Sequence, residues 1–273
     1  MTIWAIADPH LSFGVANKSM SIYGPKWADH PEKMRQKWLA TVAPEDLVLI
    51  AGDISWAMKA EEARADLEWI AALPGTKLLL RGNHDYWWPS MKQMKDLLPS
   101  SVHAIHNNAF DWGDATIGGS RLWDCDQFHF GPYIDFRASA KVAAAVTEAE
   151  ALAKDTKYLD EQRKIYAREL QRLEMSLQAL NPKAAKRIAM VHYPPVSADL
   201  QDSPVSALLE KYHIQACVFG HLHALKPGQS LFGTKNGVRY LLTACDSIDF
   251  TPIKVFSPEA GQGKPAENRP CNT

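Results

Sequence analysis

The sequence predicts an α/β sandwich with at least partly parallel strands, and three observations carry that prediction. Short apolar runs rich in Ile, Val and Leu recur along the 273 residues, and helical patterns lie between them. The runs are nearly continuous in hydrophobicity rather than alternating, which suits strands covered on both faces.

In chain order, the runs are IWAIA (3–7), LVLIA (47–51), LLL (78–80), IAMV (188–191) and ACVFG (216–220). His30, followed by Pro31, reads as the start of a helix. AEEARADLEWIAAL (60–73) puts Ala63, Leu67, Ile70 and Leu73 on one helical stripe. The stretch 101–136 is rich in Gly, Asn, Asp and aromatics and reads as hairpin-like strands and long loops. Residues 138 to about 180 contain no Gly or Pro and are dense in helix formers, so a helical insertion over about 138–181 is expected, broken near 154–157. SPVSALLEKYH (203–213) offers Ser203 as N-cap and Pro204 at the first helical position. VRYLLTA (238–244) and PIKVF (252–256) read as a terminal antiparallel pair, and 257–273 as a polar, loosely held tail. The expected organisation is one domain over 1–256 carrying the insertion.

Composition narrows the function classes. Hydrophobic residues make up 46% and charged residues 22%, ordinary for a globular protein. A formal net charge of -1 gives no basic track for nucleic acid and no reason to expect an acidic membrane. No apolar run approaches the ~20 residues of a membrane span. The first strand starts too early to leave room for a signal peptide, and Cys125, Cys217, Cys245 and Cys271 lack CxxC spacing, so a reducing cytoplasm is expected, with Cys217 as core packing. Oligomeric state has no signature.

The chemistry stands where the apolar runs stop. IWAIADPH ends in Asp8 and His10, LVLIAGDIS in Asp53, LLLRGNHD in Asn83, His84 and Asp85, IAMVHYPP in His192, and ACVFGHLHA in His221 and His223. One Asp after a strand is ordinarily a turn residue and one buried His a core residue. Five strand ends with metal-ligand side chains are different, because ligands of open α/β sheets collect outside the carboxyl ends of strands. His221 and His223, two apart on an extended segment, can face one side.

The ordered blocks DPH, GDIS, GNHD, a single His in VHYPP, and GHLH resemble the calcineurin-like metallophosphoesterases over residues 8–223, with no signature residue missing. The resemblance implies a four-layer αββα sandwich of mixed sheets and two divalent metal ions. It implies that Asp8, His10, Asp53 and His223 hold one ion and Asp53, Asn83, His192 and His221 the other, with Asp53 bridging. Mixed His, Asp and Asn ligation favours manganese, iron or zinc over magnesium or calcium. The implied reaction is hydrolysis of a phosphomonoester or phosphodiester by in-line attack of a metal-bridging hydroxide, with His84 as general acid and Asp85 orienting it. Gly52, Gly82 and Gly220 each precede a ligand, as close approach of backbone to the centre requires.

Around these blocks, the long segment 11–31 is a candidate substrate cover. Lys18, Tyr23 and Lys26 are possible phosphate contacts there, with a plain connecting loop as the other reading. Arg121 reads either as a bidentate phosphate grip or as a loop-anchoring ion pair. Trp56, Tyr86, Trp87 and Trp88 either stack on a base or pack in the core. His103, His106 and His129 match no block. The expected partner is a small phosphoester. The alternative is a catalytically silent module of the same fold, docking a partner through the helical insertion.

Overall fold

The computed structural model describes residues 1–152, 155–229 and 231–258. The first half of the chain runs β1 (Ile3–Ile6), α1 (His30–Thr41), β2 (Leu47–Ala51), α2 (Ala60–Ala72), β3 (Thr76–Leu80), α3 (Met91–Leu97) and β4 (Val102–Ile105). A hairpin of β5 (Ala109–Trp112) and β6 (Ala115–Ser120) follows, then α4 (Ala140–Leu152) and α5 (Thr156–Gln178). The chain continues with β7 (Lys186–Val191), α6 (Pro204–Lys211), β8 (Ala216–Phe219), β9 (Thr234–Lys235), β10 (Val238–Leu242) and β11 (Ile253–Phe256).

Two mixed sheets result, the first in the order β11-β1-β2-β3-β4 and the second in the order β5-β6-β7-β8-β10-β9. In the first sheet only the edge strand β11 runs antiparallel and β4 at the other edge is parallel to β3, whereas in the second sheet both edge strands, β5 and β9, run antiparallel to their neighbours. The continuous hydrophobicity of the runs has its reason here, since alternate residues face opposite layers. Ile3, Ala5, Leu47, Leu49, Leu78, Ile188, Met190 and Val218 fill the space between the sheets. Ile6, Val48, Ile50 and Leu79 face outward under Trp38 of α1, Leu67 and Ile70 of α2 and Met94 of α3. Val191, Cys217, Phe219 and Tyr240 face outward under Leu173 and Leu177 of α5 and Val205 and Leu209 of α6. The layers are therefore helix, sheet, sheet, helix. Each such fully buried aliphatic side chain contributes about 1.5–3 kcal/mol relative to exposure.

Local signals hold where capping chemistry set them. Ser203 Oγ accepts the Ser206 amide at 2.9 Å and opens α6 with Pro204 at its first position. The break between α4 and α5 is closed by Asp155, whose carboxylate accepts the amides of Lys157 and Tyr158. The expected insertion divides in two. Leu173 and Leu177 make α5 the cover of the second sheet, and α4 lies against the short turn of helix Met20–Tyr23 in the segment after β1. The terminal antiparallel pair is corrected: β10 pairs in parallel with β8, while β11 crosses to the first sheet and pairs antiparallel with β1. Of the expected tail, 259–273 lies outside the described residues.

Candidate metal centre

The strands that carry ligand-type residues end at one edge, where the two sheets meet. There the Ala7 amide donates to Thr243 O at 2.8 Å and the Cys245 amide donates to Ala7 O at 3.0 Å, joining the end of β1 to the end of β10. The Asp8 amide donates to Gly52 O at 2.9 Å and the His10 amide to Asp53 O at 3.0 Å, which ties the first two blocks together. The chain bends sharply to achieve this. Asp8, His10, Asp53 and His221 all take positive φ, a region costly for any residue with a Cβ, and one that concentrates at functional sites.

All seven predicted ligands are brought together. Around one point stand Asp8, His10 and His223, with the two Nε2 atoms 3.4 Å apart and His223 Nε2 3.7 Å from Asp8 Oδ1. Around a second stand Asp53, Asn83, His192 and His221. His192 Nε2 is 2.8 Å from Asn83 Oδ1 and 3.4 Å from Asp53 Oδ2, and His221 Nδ1 is 3.1 Å from Asn83 Oδ1. Asp53 Oδ2 also lies 3.7 Å from His10 Nε2, so this carboxylate faces both groups. A Cβ on Gly82 would collide with the Asp53 carboxylate and one on Gly220 with that of Asp8, so both positions are glycine for lack of space.

These residues fit divalent cations. His192 Nδ1 donates to Ala51 O at 2.9 Å, which leaves the lone pair of a neutral Nε2 pointing at the lone pairs of Asn83 Oδ1. Only a proton or a metal ion between such atoms makes the contact favourable. Burial pulls the His192 pKa down, but the Asp53 charge and hydrogen bond outweigh it and raise it to about 9. Burial likewise opposes His223, where Asp246 and Asp8 win and raise the pKa to about 9. Burial pushes Asp8 up, and it drives His10 and His221 well below the ordinary imidazole range. Burial alone would raise Asp53, but His192 and the other imidazoles hold it well below the usual carboxylate range. Buried His10 Nδ1 has no hydrogen-bond partner among the described residues.

Three features escaped the sequence reading. Asp246, in the connection after β10, accepts from His223 Nδ1 at 2.7 Å and from the Ala224 amide at 2.9 Å, fixing which His223 nitrogen faces the centre. The only sequence signal is again an apolar strand running into an acid. Asp124 Oδ1 lies 3.7 Å from His221 Nε2. Trp27 packs edge-on against both His10 and His223, and Tyr193 lies against His221 with ring centroids 4.1 Å apart.

His84 stands at the mouth, its ring 4.6 Å from Trp56 and its amide donating to Asp53 Oδ1 at 2.8 Å. The expected role of Asp85 is corrected. Its carboxylate accepts the amides of Ile54, Ser55 and Gly82 and the indole N–H of Trp87, at 2.8–3.1 Å, so it clamps the β2 and β3 loops rather than holding the His84 ring. Lys18 Nζ lies 5.6 Å from the Trp56 ring, at the same mouth. Tyr23 packs against the first outer core, and Arg121 faces Glu169 at 3.6 Å and the Trp123 ring at 4.5 Å. Trp87 and Trp88 are buried in the core, whereas Tyr86 is 58% exposed.

A model of the calcineurin-like phosphoesterases matches residues 1–225, a span that contains every ligand-type residue of the centre. The chain belongs to the calcineurin-like phosphoesterase family. Within the same span, Asp8, His10 and His223, and Asp8, Asp53 and His192, stand close enough together to hold a metal ion. Gene 66 protein of Mycobacterium phage D29 is 34% identical to this phosphoesterase over 83 residues, 30% of this chain and 40% of that protein, so the match spans less than half of that relative. Among solved structures, the phosphopantetheinyl hydrolase PptH of Mycobacterium tuberculosis is similar at 17% identity and a TM-score of 0.46, covering 96% of this chain and 98% of the other. AQ665 of Aquifex aeolicus is similar at 16% identity and 0.46, covering 93% and 95%. Purple acid phosphatase PPD1 of yellow lupin seeds is similar at 14% identity and 0.47, covering 96% and 46%. No helix among the described residues is long and apolar enough to cross a membrane.

Proposed function

We propose that this phosphoesterase is a dinuclear hydrolase of a small phosphomonoester or phosphodiester, and the observation that carries the reading is Asp53. Its carboxylate faces both donor groups at once, 3.7 Å from His10 Nε2 and 3.4 Å from His192 Nε2, as a bridging ligand must. Asp8, His10 and His223 would hold one divalent ion and Asn83, His192 and His221 the other, with Asp53 common to both. The nitrogen-rich donor set favours manganese, iron or zinc. Bound ions supply Lewis acidity toward the phosphoryl oxygens and lower the pKa of water.

The remaining work falls to side chains of the mouth. The leaving alkoxide needs a proton, and His84 would give it, a reading supported by its ring lying against Trp56 and its main chain being tied to Asp53 beside the donor groups. Burial lowers the His84 pKa, and Asp53 opposes this. A phosphoester anion beside the ring would favour its charged form. Lys18 adds a positive charge at the same opening.

The test is a panel of mono-, di- and cyclic phosphoesters with manganese, run on the native protein and on His84→Ala. The variant is expected to keep its metal content by elemental analysis while kcat falls about 10²–10⁴-fold, most for poor leaving groups. Loss of a metal from His84→Ala would instead make His84 a ligand, and no turnover by the metal-loaded native protein on any ester would overturn the reading.

A further inference from the structure

Beside the metal centre lies a group of charges that do not balance. Arg81 joins β3 to the Gly82 turn, Arg121 follows β6, and Glu169 and Arg172 lie on α5. Glu169, only 2% exposed, is the carboxylate these guanidiniums share: Arg172 Nη1 donates to Oε1 at 2.6 Å and Arg121 Nη2 stands 3.6 Å from the same oxygen. Arg81 and Arg172 are both close enough to Arg121 to repel its charge, while Glu169 attracts it. Arg81 Nε is buried and has no hydrogen-bond partner among the described residues. His106 lies in the same cluster, where burial and the Arg172 charge lower its pKa. Among the described residues Glu169 is the one carboxylate within ion-pair distance of any of the three guanidiniums, and the excess of positive charge suits the dianion of a phosphomonoester group.

The cluster is fixed to the catalytic edge. Arg121 O accepts the amides of His192 and Tyr193, each at 3.1 Å, so its main chain is bonded to the strand end that presents a ligand. Rings connect the two places: Tyr193 packs on His221 at 4.1 Å and on Trp123 at 5.0 Å, and Arg121 lies 4.5 Å from Trp123. The side chains are within reach of solvent, Arg121 being 16% and Arg172 37% exposed. Half-buried guanidiniums in excess of their carboxylates are costly unless an anion completes them, and the Arg fork suits the oxygens of a phosphate.

We propose that Arg81, Arg121 and Arg172 form a subsite for a second, non-scissile phosphate, so that the preferred substrate is a small molecule carrying two phosphate groups. This rests on the hydrolytic reading above, and the experiment separates the two. Inorganic phosphate is titrated calorimetrically into chelator-treated native protein and into Arg81→Gln and Arg172→Gln. The Arg172 side chain is 37% exposed, and a thermal unfolding midpoint checks that both variants are folded. The native protein is expected to bind phosphate without metal, and each variant at least tenfold more weakly. No binding by the native protein, or equal binding by the variants, would overturn the subsite whatever the activity. With metal restored, propane-1,3-diol bisphosphate is compared with propyl phosphate. The native enzyme is expected to favour the bisphosphate at least tenfold in kcat/KM, and the variants to lose that preference. An equal fall on both substrates would make the arginines structural and overturn the proposal.

Discussion

The two sheets bring different chemistry to one seam. The first, through the ends of β1, β2 and β3, presents both carboxylates, the amide of Asn83, His10 and the mouth residue His84. The second, through β7 and β8, presents only imidazoles: His192, His221 and His223. The second sheet has anions of its own behind these rings, Asp246 at 2.7 Å from His223 and Asp124 at 3.7 Å from His221, whereas the carboxylates buried by the first sheet need cations from across the seam, because burying an unpaired charge is costly. Set face to face, the second sheet relieves the first, and the residual mismatch is what a metal ion or a proton satisfies. The site is thus a property of the seam, not of a strand.

The sharpest way to break this division is Asp53→Asn, which removes the charge facing both donor groups. We expect at most one metal per chain by elemental analysis and turnover near background, the largest effect of any single change. Asp246→Asn acts from the second sheet through the bond to His223 Nδ1, and is expected to weaken metal binding about 10–100-fold in a competitive chelator titration while the fold is kept. Removing the metals tests the division by pH. In the metal-free protein His192 and His223 have pKa values raised from 6.5 to about 9. That stabilisation is fully present below 6.5 and lost as pH rises toward 9. The unfolding midpoint of the chelated protein is therefore expected to fall between pH 6.5 and 9, whereas metal affinity rises over the same window because binding displaces those protons. The smallest effect is at the rim: Lys18→Met is expected to raise KM by roughly fivefold, in line with about 1 kcal/mol for an exposed charge pair, with metal content unchanged.

How much of this was legible depended on whether partners are local in sequence. The seven residues that the fold gathers could be read because they follow five apolar runs, and the sheets then bring those strand ends together without further information. Asp246 could not, because an acid after a strand is ordinarily a turn residue, and its bond to His223 depends on where the chain returns from β10. Asp85 was misread for the converse reason. It neighbours His84 in sequence, yet its carboxylate turns inward to the amides of Ile54, Ser55 and Gly82. Likewise β10 and β11 are consecutive, but consecutive strands can leave for different sheets, and hydrophobic pattern does not say which. The imbalance of Arg81, Arg121 and Arg172 around Glu169 was equally invisible, as those residues come from β3, the loop after β6, and α5.

The positive φ angles at Asp8, His10, Asp53 and His221 set selection for stability against selection for chemistry. Each such residue costs of order 1–3 kcal/mol, a large fraction of the total stability of a domain. Glycine at any of the four would relieve the bend, and at Asp8 it would also remove a carboxylate whose burial is unfavourable. A library selected only for resistance to heat or protease, with metal withheld, would therefore erase the catalytic edge first and leave the sandwich stronger than it found it.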